Sequence, residues 1–317
     1  MQYKLFNTKK LNLSPIANRE SQLSLSNILP IQHSIKIKKE FNIIANKIIE
    51  AKKKGASIIL IIGAHVIRSG LQRYLIDLMQ KGYISCIAMN GAGIIHDFEF
   101  ALIGKTTEKV ADYIKNGRFG FWEETAQIND IIFKDSENGI GLAVGKFIES
   151  NNFKYKKISL LANGYKLEIP ITAHISIGCD INHQFPNFNA SAFGNASYID
   201  FLKFTKIMES LEYGVVMNFG SAVMGPEVYL KALSMVRNIA RQEQRKISNF
   251  STLVCDLIDI PKDYHKEASK DNPFYYFRPW KTMLIRTVSD GGQSYYVKGK
   301  HDQTIPQLWS AINELEK

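Results

Sequence analysis

Two short segments of the sequence bring a histidine close to an aspartate. NGAGIIHD ends with His96 and Asp97, and CDINH contains Asp180 and His183. A carboxylate beside an imidazole forms a proton acceptor that works near neutral pH, so His183, His96 and Asp180 are the candidate catalytic residues. The DxxH spacing also suits two zinc ligands, but no third ligand follows at a recognisable interval, and we therefore predict no metal site.

A third segment, FGFWEET, sets Trp122 beside Glu123 and Glu124. An indole face together with carboxylates suits the binding of an ammonium or guanidinium group. These three residues and Asp180 are therefore the candidate substrate ligands. The alternative for FGFWEET is a core tryptophan followed by a helix whose first turn carries two solvated glutamates.

Strands and helices must position these residues. In the sequence, apolar runs typical of strands alternate with helical patterns. A continuous apolar run is typical of a strand that is buried on both faces of a parallel sheet. We predict strands at residues 57–62, 83–89, 169–177, 214–218, 251–258, 283–288 and 294–297. The pattern predicts one large doubly wound, Rossmann-like α/β domain over residues 35–317, with a mostly parallel sheet and helices on both faces, preceded by an N-terminal arm at residues 1–34.

The helical patterns fall between these runs. Ser34 is a candidate cap for a helix whose apolar residues recur from Ile37 to Ala51 and which ends at Gly55. Further helical patterns lie at residues 71–81 and 226–241 and from about residue 303, and residues 106–150 are rich in helix-forming residues. His96 and Asp97 are expected near the start of the helix that follows the second strand.

Ligands of open parallel sheets bind beyond the carboxyl ends of the strands. Glycine-rich or polar loops follow four of the predicted strands, at residues 63–70, 90–97, 178–186 and 218–227. Glycines there let the backbone approach a phosphate or a ribose closely, which favours a nucleotide site. No loop contains GxGxxG with the usual ribose-binding acid, so ordinary turns remain the alternative. An acid favoured by the helix dipole is likewise the alternative for Asp97.

The net charge of +10 raises the question of a nucleic acid or an anionic membrane as a partner. The densest basic cluster lies on a helical segment whose other face carries isoleucine and phenylalanine, which is typical of a solvated helix face. The cluster consists of Lys36, Lys38, Lys39, Lys47, Lys52, Lys53 and Lys54. We therefore expect no nucleic acid and no membrane as partner.

Size and composition indicate a globular protein, because 317 residues with 45% hydrophobic content can bury a sizeable core. The longest strongly apolar run, residues 57–67, is too short to span a bilayer, and no leader pattern opens the sequence. Cys86, Cys179 and Cys255 are too few and too far apart for a disulfide scaffold. A soluble, cytoplasmic protein with reduced thiols is the expectation.

Three segments, in this order, resemble the deoxyhypusine synthase superfamily, particularly its bacterial deoxyhypusine synthase-like branch. The most specific is GAHVIRSGLQRYLIDLMQKGYISCIAMNGAGIIHDFEFAL at residues 63–102. NFGSAVMGPEVYLKAL at residues 218–233 resembles the family's glycine-rich loop and helix, and KGKHDQTIPQL at residues 298–308 resembles its terminal aspartate motif. The similarity covers most of the chain from about residue 35 onward.

The resemblance implies an enzyme that uses NAD as a catalytic hydride store. It implies oxidation of a polyamine beside a nitrogen, transfer of the aminoalkyl group to an acceptor amine, and return of the hydride. It also implies a homotetramer with active sites at a subunit interface. The cofactor contacts that it implies are His65, Asn90, Gly91, Gly93, Asp97, Gly220, Ser221 and Asp302.

The chain departs from the family pattern at two positions. Gly292 stands where the family has the lysine that carries the alkyl group, and Gly225-Pro226 stands where it has a histidine base. Glycine cannot form a Schiff base, so the acceptor amine is expected to attack the imine directly unless Lys281, Lys298 or Lys300 reaches the site.

Direct transfer most resembles the NAD-dependent condensation of two agmatine molecules to 1,9-bis(guanidino)-5-aza-nonane with release of ammonia. The near alternatives are synthesis of homospermidine from putrescine or spermidine, and deoxyhypusine synthesis on a translation-factor lysine, against which Gly292 argues. A non-catalytic module that binds a nucleotide or a polyamine is the alternative from a different class.

Overall fold

The computed structural model describes residues 3–34 and 36–316. Six of its strands form one parallel sheet, and two more form a small antiparallel pair. In chain order the strands are β1 (Ser21–Ser24), β2 (Ile58–Ile62), β3 (Cys86–Asn90), β4 (Lys105–Glu108), β5 (Ile171–His174), β6 (Val215–Phe219), β7 (Ser251–Asp256) and β8 (Gln293–Lys298).

Helices cover both faces of the large sheet. In chain order they are α1 (Lys39–Lys54), α2 (Ala64–Arg68), α3 (Gln72–Gln80), α4 (Gly91–Ile103), α5 (Val110–Ile114), α6 (Glu123–Lys134), α7 (Gly139–Ser150), α8 (Leu160–Lys166), α9 (Ala190–Met208), α10 (Met224–Gln242) and α11 (His301–Leu315). A π-helix, Pro279–Arg286, lies between β7 and β8.

The large sheet has the strand order β5-β3-β2-β6-β7-β8, with every pair parallel. The chain moves outward from β2 in one direction and then returns to its other side at β6, which is the doubly wound order of dinucleotide-binding folds. Right-handed crossovers then put the helices of the two halves on opposite faces. The predicted doubly wound α/β fold is confirmed.

Alternate residues of the central strand face two separate cores. Ile58, Leu60 and Ile62 belong to a core with α1, α3, α4, α7, α8 and α11. Ile59 and Ile61 pack with α9, α10 and the π-helix in the second core. All five residues of β2 are buried, which explains why the sequence shows them as one apolar run and not as an alternating pattern.

The N-terminal arm packs on the domain beside α4. β1 pairs antiparallel with β4, which places Ser21 opposite Glu108, and Ser14 forms a bridge to Trp122. This pairing brings residues near position 19 against a helix that lies about 80 positions later in the chain. The predicted boundary at residue 35 lies outside the described residues.

Four local predictions differ from the structure. Residues 283–288 are not a strand, because the backbone forms the π-helix with Trp280, Met283 and Leu284 buried against the sheet. Helix α1 begins at Lys39 with no side-chain cap, so Ser34 does not cap it. Strand β4 lies inside the region predicted as helix-rich. Helix α4 begins directly at Gly91, capped by the side chain of Asn90, so that no loop separates β3 from α4.

Candidate functional site

The first feature of the site is the crevice between β2 and β6, where the strand order reverses. Ile62 and Phe219 are paired at the ends of these strands, and Gly63 and Gly220 follow them. A Cβ on Gly63 would lie 2.4 Å from the carbonyl oxygen of Gly220, so neither loop has room for a side chain at this contact. Gly220 also has a φ of +73°, which favours glycine.

Side chains at this crevice hold its loops in place. Asn218 accepts a hydrogen bond from the backbone N–H of Ser221 at 3.0 Å and donates to its carbonyl oxygen at 2.9 Å. Ser221 Oγ accepts from the N–H of Gly225 at 2.9 Å at the start of α10. The side chain of His65 is exposed, and one of its ring nitrogens lies 3.3 Å from an Arg68 nitrogen. Partial desolvation of the ring lowers the pKa of His65, and the charge of Arg68 lowers it further.

His301 closes the crevice from the β8 side. A Cβ on Gly220 would lie 2.4 Å from His301 Nε2, and the ring of His301 packs edge-on against Phe219. Asp302, the predicted cofactor contact, is exposed in the first turn of α11 next to His301. Three of the predicted cofactor residues, His65, Gly220 and Ser221, therefore belong to the loops of this crevice, and Asp302 follows His301 in the chain.

The start of α4 places three more of them at the end of the neighbouring strand β3. Asn90 Oδ1 accepts from the N–H of Gly93 at 3.1 Å and caps the helix. A Cβ on Gly91 would lie 2.2 Å from Asp180 Oδ2, and one on Gly93 would lie 2.9 Å from Met89 Sδ. The glycines of NGAG thus let an aspartate and a buried methionine approach the backbone of this helix.

A cavity of about 560 Å³ lies beside these strand ends. One wall is a face of α4 with Ala92, Ile95, His96 and Glu99, spaced as residues on one side of a helix. The other walls come from the N-terminal arm, α2, β4 and the segment after it, and the loop after β5. They include Arg19, Gln22, Arg68, Thr107, Glu108, Lys109, Asp112, Phe119, Cys179 and Asp180.

Hydrogen bonds connect His96 at the cavity wall to a buried ion pair. His96 Nδ1 lies 2.8 Å from Thr106 Oγ1, and Thr106 Oγ1 donates to Glu99 Oε2 at 2.6 Å. Glu99 also accepts two hydrogen bonds from Arg19, at 2.7 and 2.9 Å, and one from Thr125 at 2.8 Å. The side chains of Arg19 and Glu99 are each only 2% exposed.

This arrangement determines the tautomer of His96. The hydroxyl proton of Thr106 is directed at a carboxylate, which only accepts, so Nδ1 of His96 must donate to the threonine oxygen. The remaining nitrogen, Nε2, then carries a lone pair. Burial, with smaller contributions from Arg68 and Arg19, lowers the pKa of His96 to about 4 against an opposing effect of Glu99. His96 is thus neutral at physiological pH, and its unprotonated Nε2 can accept a hydrogen bond.

Two carboxyl groups in the cavity wall have raised pKa values. Burial raises the pKa of Asp180 to about 6, although the backbone N–H of Ala92 opposes the shift. Burial also raises the pKa of Glu108, against a hydrogen bond from Trp122. Carboxyl groups with raised pKa values are frequent in binding and catalytic clefts, because a cation that enters the cleft restores their charged form.

His183 lies on the other side of Asp180. Its Nδ1 accepts from the N–H groups of Gly178 and Asp180, at 3.1 and 3.2 Å, so the neutral ring carries its proton on Nε2. The ring packs edge-on against Phe188 and Phe193. Nε2 has no partner among the described residues and lines a small separate cavity of about 10 Å³, to which Asp180 also contributes.

The predicted substrate ligands of FGFWEET do not line the large cavity. Trp122 is 1% exposed, and its indole N–H donates to Glu108 Oε1 at 3.1 Å. Glu124 accepts from the backbone N–H of Ile16 at 2.7 Å, and Glu123 is exposed at the start of α6. The hydrogen bond from Trp122 holds the Glu108 carboxylate in place, and the hydrogen bond that Glu124 accepts from Ile16 fixes the N-terminal arm.

Asp97 points to the opposite side of α4 from His96. It is 1% exposed and accepts hydrogen bonds from Ser159 at 2.5 Å, Leu160 at 2.7 Å and Leu161 at 3.1 Å at the start of α8. Burial raises its pKa to about 6 against these hydrogen bonds. In this position Asp97 joins α4 to α8 and is directed away from the crevice, so its predicted role as a cofactor contact does not fit the structure.

Gly292, which stands where the family has its lysine, lies at the amino-terminal edge of the sheet, away from the crevice and the cavity. Gly292 directly precedes β8 and is beside Phe250, which precedes β7, so it is at the amino ends of the parallel strands. Two of the predicted substitutes, Lys281 and Lys298, are engaged elsewhere, and Lys300 is exposed at the start of α11. Lys281 lies over the ring of Tyr275, and Lys298 pairs with Asp259. The glycine at 292 therefore gives no information on the chemistry of this cavity.

Sequence reasoning missed several residues that line or support the cavity: Arg19, Arg68, Thr106 and Glu108. Arg19 lies in a segment without periodicity, and Thr106 and Glu108 belong to the polar strand KTTE. Arg68 belongs to the segment GAHVIRSG, and a lone arginine beside a predicted anion site is a signal that could have identified it. The other three depend on contacts between distant parts of the chain.

Residues 3–34 and 36–316 contain neither a cluster of metal ligands nor a membrane-spanning helix. No group of three or more His, Cys, Asp or Glu side chains is arranged to hold a metal ion. No helix there has the length and apolar character needed to cross a membrane. Cys86 and Cys255 are buried, and Cys179 is exposed at the cavity wall; none of the three forms a disulfide.

Comparison with protein families gives one match. The family described as arginine dihydrolase ArgZ-like, C-terminal, Rossmann fold matches residues 42–157, which include β2, β3, β4 and α4. No curated protein sequence matches the chain closely enough to indicate a relative. The sheet and the family match agree on a Rossmann fold.

Solved structures share this fold at low sequence identity. AgrE in a ternary complex with ornithine and NAD+ is 16% identical, with a TM-score of 0.53, and the match covers 89% of this chain and 34% of AgrE. ArgZ, an arginine dihydrolase from cyanobacteria, is 15% identical with a TM-score of 0.51 and the same coverage. The chain thus spans about a third of the length of these two proteins.

Two further structures extend the comparison. A conserved protein of Methanococcus maripaludis S2, described as an LOR/SDH protein, is 18% identical with a TM-score of 0.51, and the match covers 91% of this chain and 74% of that one. A protein of Entamoeba histolytica described as a deoxyhypusine synthase is 12% identical over 87% of this chain and 88% of its own, with a TM-score of 0.42. This last value is too low to carry an argument.

Proposed function

We propose that this chain is an NAD-dependent enzyme that oxidises the carbon beside a nitrogen of a small cationic amine. The observation that carries the proposal is the position of His96, whose free Nε2 belongs to a cavity next to the carboxyl edge of a doubly wound sheet. The lowered pKa makes His96 a weak base when the cavity is empty, so removal of a proton from a substrate ammonium group depends on the cavity carboxylates, which stabilise the imidazolium that forms.

The crevice between β2 and β6 suits NAD. Gly63 and Gly220 leave the strand ends without side chains, Ser221 and His301 lie against them, and His65 and Asp302 are close in sequence. Asn90, Gly91 and Gly93 form the neighbouring strand end. When bound, the cofactor supplies a hydride acceptor for the carbon that is oxidised.

The chain's own residues have separate tasks in this proposal. His96 takes a proton from the substrate ammonium at Nε2, which frees the nitrogen lone pair for imine formation. Thr106 and Glu99 hold the imidazole in the required tautomer, and Arg19 orients the Glu99 carboxylate through two hydrogen bonds. Asp180, in the wall beside His96, supplies a negative charge that attracts the cationic substrate.

Condensation of two agmatine molecules to 1,9-bis(guanidino)-5-aza-nonane, with release of ammonia, is our specific proposal for the reaction. The cavity has carboxylates for a guanidinium group at Glu108 and Asp180, and no lysine need form a covalent intermediate when the second amine attacks the imine. Homospermidine and deoxyhypusine synthesis remain the near alternatives. We retain the proposal of a cytoplasmic homotetramer with active sites at a subunit interface.

A diamino acid is the second candidate substrate, and Arg68 favours it. This arginine lines the cavity, and no carboxylate lies within 4.0 Å of its guanidinium among the described residues. A substrate with its own carboxylate would pair with it, whereas agmatine has none. The AgrE structure that shares the fold contains ornithine together with NAD+.

Incubation of the purified protein with NAD and single amines tests the proposal. The panel is agmatine, putrescine, spermidine and ornithine, with NADH absorbance and mass spectrometry of the products as readouts. A bis-guanidine from agmatine would identify the condensation, and consumption of ornithine would identify the second candidate. Tight NAD binding without turnover of any of them would overturn the enzymatic proposal in favour of a binding module.

Two matched histidine variants then identify the base. His96→Gln should lower kcat by about 10²–10⁴-fold, because general base catalysis contributes an effect of this size. His183→Gln should leave kcat within a few-fold, because His183 belongs to the small separate cavity. The opposite result, with loss of activity only in His183→Gln, would move the base to the other side of Asp180.

A further inference from the structure

Glu108 combines burial with an unused hydrogen-bonding atom. The residue is 7% exposed and lines the large cavity. Its Oε1 accepts from the indole N–H of Trp122 at 3.1 Å and from the backbone N–H of Gly120 at 3.0 Å. Its Oε2 is buried and has no hydrogen-bond partner among the described residues. One oxygen therefore fixes the carboxylate, and the other keeps an unused hydrogen-bond acceptor in the cavity wall.

Burial raises the pKa of Glu108 more than the charge of Arg19 lowers it, and no protein cation among the described residues forms an ion pair with this carboxylate. Arg19 is the nearest candidate, but its two terminal nitrogens are engaged by Glu99. Lys109, the next residue, pairs with Glu20 at 3.6 Å on the surface. Across residues 3–34 and 36–316, no ion pair within 4.0 Å involves Glu108. A buried carboxylate without a partner is unfavourable, unless a cation from outside occupies the cavity.

The position of Glu108 relative to His96, the proposed base, indicates the length of the molecule that bears this cationic group. Thr106, which holds His96, and Glu108 are two residues apart on β4, so their Cα atoms are separated by at most ~7 Å. Both side chains are buried, and His96 and Glu108 line the same cavity. A substrate nitrogen at His96 and a cationic group at Glu108 are then joined by a chain of only a few carbon atoms.

We infer that Glu108 binds the second, non-reacting cationic group of the substrate and so selects short amines with two positive charges over amines with one. This inference rests on the proposed function, because it takes His96 as the site of the reacting nitrogen. It assigns Trp122 and Gly120 as the donors that position the carboxylate, and Glu108 itself as the specificity-determining residue.

Equilibrium binding measured by calorimetry, with NAD both absent and present, tests the inference. Wild-type protein should bind agmatine at least 10-fold more tightly than n-butylamine, which carries one charge, because a hydrogen bond to a charged group has this effect. In Glu108→Gln the preference should fall to about threefold or less, since the amide keeps the size and Oε1 contacts but not the charge. The matched control Asp112→Asn removes an exposed carboxylate from the rim of the same cavity and should retain the preference.

A second measurement needs no variant. Wild-type affinities for linear diamines of increasing length should pass through a maximum at a short chain, whereas the corresponding monoamines should show none. Equal binding of agmatine and n-butylamine by the wild type, or an unchanged preference in Glu108→Gln, would overturn the inference. Wild-type protein that binds diamines selectively but never reduces NAD would contradict the proposed function and leave the role of Glu108 in binding intact.

Discussion

The guanidinium of Arg19 and the carboxylate of Glu99 form two parallel hydrogen bonds, at 2.7 and 2.9 Å, inside the protein. Arg19 belongs to the N-terminal arm and Glu99 to α4, which carries His96 on its cavity face. The pair therefore joins the arm to the helix that positions the proposed base. Thr125 and Thr106 complete the hydrogen bonding of the carboxylate, so no Glu99 oxygen is left with a single donor.

Arg19→Met should lower the free energy of unfolding by about 3–5 kcal/mol, because it leaves the buried Glu99 carboxylate without its cation. Denaturant unfolding followed by circular dichroism measures the change. The matched control is Lys109→Met, which breaks the exposed pair with Glu20 and should change stability by about 1 kcal/mol or less. Combining Arg19→Met with Glu99→Gln should recover part of the loss; no recovery would contradict a charge-based explanation.

The parts of the fold that the sequence predicted well are those with local signals. β2 is a continuous apolar run with glycine after it, and its neighbours repeat this pattern, so a parallel sheet with loops at its carboxyl edge follows directly. Gly55 with its left-handed φ of 65° ends α1 where the sequence predicted. The π-helix was mistaken for a strand because its apolar residues, in a short window, do not distinguish the two.

The candidate site was predictable only in part. His96 and Asp180 were selected by residue type and strand-end position, and both line the cavity. Asp97 has the same type and position but lies on the opposite face of α4, a difference of one residue that no composition argument reveals. Glu108 gained its significance from Trp122 and Gly120, which the fold brings beside it.

Thr106→Val should lower kcat by about 10-fold or more while KM changes little. Valine has the shape of threonine but neither accepts from His96 nor donates to Glu99, so the ring loses its fixed tautomer. Steady-state kinetics and ¹⁵N NMR of the imidazole measure the two effects. Thr106→Ser keeps the hydroxyl and should restore both kcat and the tautomer; failure of serine to do so would show that threonine acts by packing alone.

Gly220→Ala should disrupt the crevice between β2 and β6. The new Cβ would lie 2.4 Å from His301 Nε2, at a φ of +73° that an alanine rarely adopts. Gly117→Ala is the matched control, since it has a φ of +63° but no atom within 4 Å of the new Cβ, and it isolates the backbone strain of about 1 kcal/mol. We expect Gly220→Ala to lower Tm further and to weaken NAD binding at least 10-fold, as measured by fluorescence titration. Equal effects of the two variants would exclude a role of the crevice.

The stability of the protein should decrease between pH 6.5 and pH 4 partly because of His96. Burial lowers the folded-state pKa from 6.5 to about 4, so the neutral form is favoured by folding. The unfolded chain takes up a proton as the pH falls below 6.5 and the folded chain does not, so the His96 contribution is fully present above pH 6.5 and is lost as the pH falls towards 4. The loss amounts to about 3 kcal/mol at pH 4.

Urea unfolding at several pH values should show a smaller decrease in His96→Gln than in the wild type, and His265→Gln, a change on the surface, should behave as the wild type does. Identical pH dependence in His96→Gln and the wild type would show that His96 is solvated and charged at acid pH, which would contradict its role as a base held neutral by the fold.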